Sequence, residues 1–136
     1  MLRTLEISAS GLAAQRLRMD TIAGNIAHSH TTMNEAGQKS PFQRRMVVLE
    51  SQSSGQASGR GVGVAGSVEI DNATVPRKVR DPGHPHADAE GFVTYPNINV
   101  ITEFVNALEA TRAYEANLSA MQVTRSMIDG TFRLLG

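Results

Sequence analysis

Apolar residues recur in alternating steps of three and four at both ends of the chain, and alternate singly in its middle. Near the N-terminus Leu2, Leu5, Ala9, Leu12, Met19, Ala23 and Ile26 follow this rhythm, with Arg16 the exception. Near the C-terminus Phe104, Ala107, Tyr114, Leu118, Met121, Ile128, Phe132 and Leu135 repeat it, interrupted by Thr111 and Arg125. A step averaging about 3.5 residues is the mark of a supercoiled helix pair. The pattern predicts one helix over roughly residues 2–28 and a second from about Asn99 to the C-terminus. At 1.5 Å per residue they run about 40 and about 55 Å. Asn99 is placed to cap the second helix, with Glu103 near its positive end. Asp129 and Arg133 stand at i and i+4 in the favourable order, a pairing worth about 0.2–0.5 kcal/mol.

Between these segments the pattern changes. All five prolines (Pro41, Pro76, Pro82, Pro85, Pro96) and eight of the twelve glycines lie between Gly37 and Pro96, so long helices are confined to the ends. Val62 to Ile70 alternates as a strand does, and Phe42 to Leu49 and Phe92 to Tyr95 are further strand candidates. Ser51 to Gly61 is a Gly/Ser/Gln run that reads as a loop. The chain therefore reads as mainly α with a small β region. Segment 1–30 is an N-terminal helix, 31–97 a strand-bearing irregular middle forming a small thin sheet, and 98–136 a C-terminal helix. With so little apolar mass the middle must lean on the helices or on a neighbouring subunit.

Small residues crowd both helices: Ser8, Ala13, Ala14 and Ala27 in the first, Ala110, Ala113, Ala116, Ser119 and Ala120 in the second. They either maximise helix propensity or let neighbouring helices approach closely. Gly11, Gly24 and Gly130 favour close approach, because each costs about 1 kcal/mol relative to Ala inside a helix.

Composition narrows the chemistry. Thirteen basic residues balance thirteen acidic ones, which argues against a nucleic-acid or polyanion partner. With no cysteine, disulfides, thiol catalysis and Cys-ligated metal are excluded. No apolar stretch reaches the ~18 residues needed to span a bilayer, and Glu6 falls where the apolar run of a secretory signal should sit. The best metal candidate is the His84-Pro-His86 spacing with Asp81, Asp88 and Glu90 around it, and His28 and His30 offer a second such pair. Pro82, Gly83, His84 and Pro85 instead favour a structural turn. Neither a serine-hydrolase elbow nor a P-loop is present; the Gly-rich Gly59–Gly66 stretch lacks the Lys-Ser/Thr that phosphate binding needs. The clusters Lys39/Arg44/Arg45 and Arg77/Lys78/Arg80 read as solvated surface. The reading is of a non-enzyme without metal, cofactor or small-molecule substrate.

Several stretches carry a family resemblance. Ser10-Gly-Leu-Ala-Ala-Gln-Arg-Leu-Arg-Met-Asp-Thr-Ile-Ala-Gly-Asn-Ile-Ala27 resembles the N-terminal signature of flagellar rod, hook and hook-associated axial proteins, and Pro41-Phe-Gln-Arg-Arg-Met-Val-Val-Leu49 follows as in rod proteins. Asp81-Pro-Gly-His-Pro-His-Ala-Asp-Ala-Glu-Gly-Phe-Val-Thr-Tyr-Pro-Asn-Ile-Asn-Val100 and Glu109-Ala-Thr-Arg-Ala-Tyr-Glu-Ala-Asn117 resemble the proximal-rod C type of basal-body rod protein. His28 departs from the pattern, standing where the family typically has Asn.

The resemblance implies a structural subunit of the bacterial flagellar basal-body rod, needed for motility. It polymerises through its terminal helices into the hollow drive shaft around the export channel. It implies partnership with its own copies, other rod proteins, the basal-body ring and the export apparatus. It also implies a place in the periplasmic span, reached without a cleaved signal and without membrane insertion. On this reading Leu5, Leu12, Met19, Asn25 and Ile26 meet Phe104, Tyr114, Leu118, Met121, Ile128 and Phe132 within and between subunits. A competing reading from the residues alone is a soluble coiled-coil adaptor whose helices close into a hairpin.

Overall fold

A computed structural model describes residues 2–34, 36–53 and 61–135. Six elements follow one another: α1 (Leu2–Ala27), β1 (Arg45–Ser53), β2 (Gly61–Ile70), β3 (Arg77–Arg80), β4 (Phe92–Tyr95) and α2 (Val100–Leu135). The expectation of a mainly α chain with two long terminal helices and a small β region holds. Of the Ser51–Gly61 loop, residues 54–60 lie outside the described residues, while Ser51–Ser53 and Gly61 belong to strands.

Both helices end where the chain offers an alternative partner. The Asn99 side chain accepts the N–H groups of Ile101 and Thr102 at 3.0 and 3.3 Å, capping the start of α2 as expected. At the end of α1 the Ser29 hydroxyl donates to the Ile26 carbonyl at 2.8 Å, and the His28 ring stacks on Phe42 with centroids 4.7 Å apart. His28 thus finishes the helix against an aromatic ring. The expected Asp129–Arg133 ion pair does not form: the described salt bridges involve only Arg18 and Arg44. Both side chains are exposed, and the gain from pairing there is too small to fix two flexible chains.

The strands form two separate antiparallel hairpins rather than one thin sheet. In the first, Val47 faces Val68 and Leu49 faces Gly66. In the second, Arg77 faces Tyr95 and Val79 faces Val93. β1 begins three residues later than the pattern implied; just before it the Arg44 carbonyl accepts the Asp71 N–H at 2.8 Å while the Arg44 side chain turns to Glu103 on α2. β3 is the basic run Arg77–Arg80, exposed at all four positions. It carries no apolar alternation and so gave no strand signal.

Glycines seat β2 on α1. Gly63 has φ of +145°, and a Cβ there would collide with the Ser10 side chain, whose hydroxyl accepts the Val64 N–H at 3.0 Å. At Gly66 a Cβ would lie 3.0 Å from Leu17 Cδ2. From Gly61 to Gly66 the glycine-rich stretch is the footprint of a strand packed closely on a helix.

Candidate functional site

Four cross-links show that α1 and α2 run antiparallel. Asn25 Nδ2 donates to Glu103 Oε2 at 3.0 Å, and Arg18 pairs with Glu109 at 3.0 Å. Thr111 Oγ1 lies 3.6 Å from Met19 Sδ, and a Cβ at Gly11 would stand 3.1 Å from Asn117 Nδ2. The helices therefore close on each other within one chain, with Gly11 permitting the approach.

At the base of the pair sits a polar clamp. Glu103 is 1% exposed, and Arg44 donates to its Oε1 through Nε at 3.0 Å and Nη2 at 2.7 Å. Its other oxygen accepts from Asn25, itself 1% exposed, which also donates to the Arg45 carbonyl and accepts the Arg45 N–H at 2.8 and 2.9 Å. Arg44 reaches Asp71 at 3.5 Å. The Thr74 hydroxyl and the backbone N–H groups of Ala73 and Thr74 hold the Asp71 carboxyl below the usual range, with Arg44 adding to them. One network thus binds α1, β1, α2 and the end of β2. Two sequence assignments change here. Arg44 is a structural partner of a buried carboxylate, not solvated surface, because an unpaired Glu103 would be costly to bury. Asn25 spends its whole side chain inside the subunit and offers nothing to a neighbour.

The face of the pair also differs from the apolar pattern. Its buried centre consists of Ala14, Ile22 and Asn25 on α1 with Glu103 and Ala110 on α2. The predicted positions divide. Leu5, Leu12, Met19, Ile26, Tyr114, Met121 and Ile128 are half-buried, whereas Phe104, Leu118 and Phe132 are exposed, Phe104 by 57% and Phe132 by 69%. The alternate α1 positions Ala9, Arg16 and Ala23 are exposed as well. Close packing falls to Gly11, Ala14 and Ala110, while Ala13, Ala116 and Ala120 face outwards. Large apolar side chains are left on the outside of α2 because the inside is too tight to hold them.

The register also leaves α2 longer than its partner. Nine residues outward from the Gly11–Asn117 contact, the start of α1 stands opposite Ser126, so residues 127–135 extend past it.

The turn residues Pro82, Gly83, His84 and Pro85 lie in consecutive turns closed by the His84 N–H on the Asp81 carbonyl and the Ala87 N–H on the His84 carbonyl. His84 Nδ1 accepts the His86 N–H at 3.1 Å, His86 Nδ1 lies 2.8 Å from Thr32 Oγ1, and His30 and His84 both set their rings edge-on to Tyr95. The histidines staple the turn to the end of α1. Among the described residues no group of three or more His, Asp or Glu side chains is disposed to hold a metal ion, and no helix is long and apolar enough to cross a membrane.

A helix pair closed by small residues, with a stripe of large apolar side chains exposed on its outside, has the form of a protein that packs against others. A family described as the C-terminal region of the flagellar basal-body rod FlgEFG proteins matches residues 89–134. The flagellar basal-body rod protein FlgC of Bacillus subtilis is 39% identical over 92% of this chain and 91% of its own length. FlgC of Salmonella typhimurium is 38% identical over 98% and 97%, and FlgC of Aquifex aeolicus 37% over 94% and 92%. The chain belongs to the FlgC family of flagellar basal-body rod proteins. It is a structural subunit of the rod, assembled with other rod and basal-body proteins.

Proposed function

We propose that the outer face of α2, together with the half-buried rim of α1, is the surface through which this subunit is built into a hollow, torque-bearing shaft. The observation that carries the reading is the stripe of large apolar side chains, including Phe104, Leu118 and Phe132, left uncovered after the helix pair has closed. Each side chain buried on assembly contributes about 1.5–3 kcal/mol. Leu5, Leu12, Met19, Ile26, Tyr114, Met121 and Ile128 each retain part of their surface for a neighbour. Contacts of this kind that do not close on themselves generate a helical tube. Neighbours in the shaft are further copies, other rod subunits and, at its base, the ring and the export apparatus. The shaft occupies the periplasmic span, reached by export through the flagellar type III apparatus. The role is stiffness under torsion, without catalysis, and the 82–85 turn serves it by fixing the β3–β4 hairpin against α1.

Leu118→Asp and Phe132→Asp test the reading. Both positions are exposed, so the isolated subunit keeps its stability within about 0.5 kcal/mol. Neither variant enters isolated basal bodies or restores swimming to cells lacking the wild-type chain. Incorporation at the wild-type level would overturn the assignment. The adaptor reading drew on a closed hairpin; the hairpin exists, but a stripe this apolar on its outside favours burial in an assembly.

A further inference from the structure

Two of the three helical glycines make room for no other group among the described residues. A Cβ at Gly24 or at Gly130 would meet nothing within 4 Å, whereas Gly11 makes room for Asn117. Glycine is the poorest helix former after proline, so its presence at both sites calls for something outside the subunit. Gly24 lies in the wall of an open groove of about 850 Å³ between α1, the segment after it and β2. Asp20 and His28 flank Gly24 one turn to either side, and Phe42, Val68 and Ile70 supply an apolar floor, with Val68 44% and Ile70 50% exposed. Gly130 lies in the part of α2 that outruns α1. There Met127, Gly130 and Leu134 share one face, with Met127 and Leu134 exposed.

We propose that the groove receives the C-terminal helix end of an adjoining rod subunit that carries the same C-terminal segment, an end of the kind that residues 127–135 display. This deepens the assembly reading above and rests on it. Lengths agree: the uncovered end of α2 measures about 13 Å, and the run from Asp20 to His28 about 12 Å. Size agrees, because glycine on both helices lets two backbones approach at their closest, with Met127-type and Leu134-type side chains reaching the floor on either side. Charge agrees too. Asp20 and Arg45 stand on the rim, and neither forms a salt bridge within the described residues. They match a helix end bearing Arg133 and Asp129, which are likewise unpaired. Groove and helix end lie at opposite ends of the helix pair, so the contact is head-to-tail and propagates along a shaft.

The chain has no cysteine, so Ala36→Cys, at an exposed position on the rim of the groove, gives a unique thiol and leaves Gly24 in place. Basal bodies carrying this variant are labelled after isolation with a short thiol-directed photo-cross-linker, and the trapped peptide is identified by mass spectrometry. The expected adduct is the C-terminal helix end of an adjoining subunit bearing this family's C-terminal segment. Adducts confined to another segment, to the same chain or to a protein without that segment overturn the proposal while leaving the rod reading intact. Absence of the wild-type chain from basal bodies defeats both. A second arm uses Gly24→Leu, which fits the open groove and improves helix propensity. The isolated variant stays helical by circular dichroism, yet its incorporation into basal bodies is lost. Incorporation at the wild-type level sinks the proposal.

Discussion

The two halves of α2 carry similar numbers of large apolar residues and live in different surroundings. In residues 100–117 the helix buries Glu103 and Ala110 against α1 and β1, and Asn117 abuts Gly11. In residues 118–134 no side chain is buried, although Leu118, Val123, Met127, Phe132 and Leu134 are all large and apolar. Hydrophobic content alone therefore does not locate the core of this subunit. The first half is anchored by small residues and a buried ionic clamp, although Ile101, Phe104, Val105 and Leu108 on it are exposed. The second half has apolar side chains of the same kind and no buried anchor.

The clamp is where that contrast breaks most easily. Glu103→Ala leaves Arg44 and Asn25 without their partner, and loss of one member of a buried pair costs 3–5 kcal/mol in general. The Arg44 side chain keeps 25% of its exposure, so a loss of about 3 kcal/mol is expected by denaturant titration, with Glu103→Gln costing less. Ala110 comes next. It is 0% exposed, and Ala110→Leu overpacks the contact by about 1–3 kcal/mol. The opposite change in the other half, Leu118→Ala, shifts the stability of the isolated subunit by less than about 0.5 kcal/mol.

Glycine replacements sharpen the comparison further. Gly130→Ala meets nothing among the described residues, so it strengthens the end of α2 by the propensity gain of about 1 kcal/mol, read as slower local hydrogen exchange. Gly11→Ala brings a Cβ to 3.1 Å from Asn117 Nδ2, and that crowding offsets much of the same gain. The smallest effect is electrostatic. Asp88 accepts the N–H groups of Phe92 and Glu90 at 2.8 and 3.0 Å, and the Phe92 bond in particular holds its carboxyl below the usual range. A carboxylate lowered on folding adds stability above its unfolded value of about 4 and loses it as pH falls through the folded value. The β3–β4 turn should loosen below pH about 4, and Asp88→Asn should flatten that dependence in amide exchange at Gly91 and Phe92.

The elements of the fold were legible in the sequence and their faces were not. Proline-free ends, seam periodicity and an Asn99 cap are strong local signals, and each helix appears where they point. The seam was an incomplete guide to contact: Met19 meets Thr111 along it, but the most buried or closest contacts are made by Gly11, Ala14, Ala110, Asn25 and Glu103. Small and polar residues carry no weight in a hydrophobic template. Asn25 and Arg44 were misassigned for a related reason, since the burial of a charge depends on a partner 59 or more positions away in the chain. β3 was missed because a strand exposed on every residue needs no apolar alternation. Gly63 and Gly66 did give a signal: glycines spaced through a strand indicate close approach of another backbone or helix, and α1 was the element available.

Of the proposed assembly surface, Leu118 and Phe132 lie on the seam that periodicity predicts. The groove beside Gly24 was not, because it is assembled from α1, the segment after it and β2, which no local pattern connects. The uncovered end of α2 was hidden in the same way. It follows only from the antiparallel register, which is set by contacts far apart in the chain.

The central claim is that the clamp joining Asn25, Arg44 and Glu103 holds the base of the helix pair together within one subunit, whereas the end of α2 is ordered by its neighbours. Hydrogen exchange of the isolated subunit and of the same chain in purified basal bodies tests it most directly. The account predicts that residues 103–117 are protected in both states, whereas residues 118–135 exchange rapidly in the isolated subunit and become protected only in the rod. Equal protection of the two halves in the isolated subunit, or an end of α2 that stays unprotected in the rod, would contradict it.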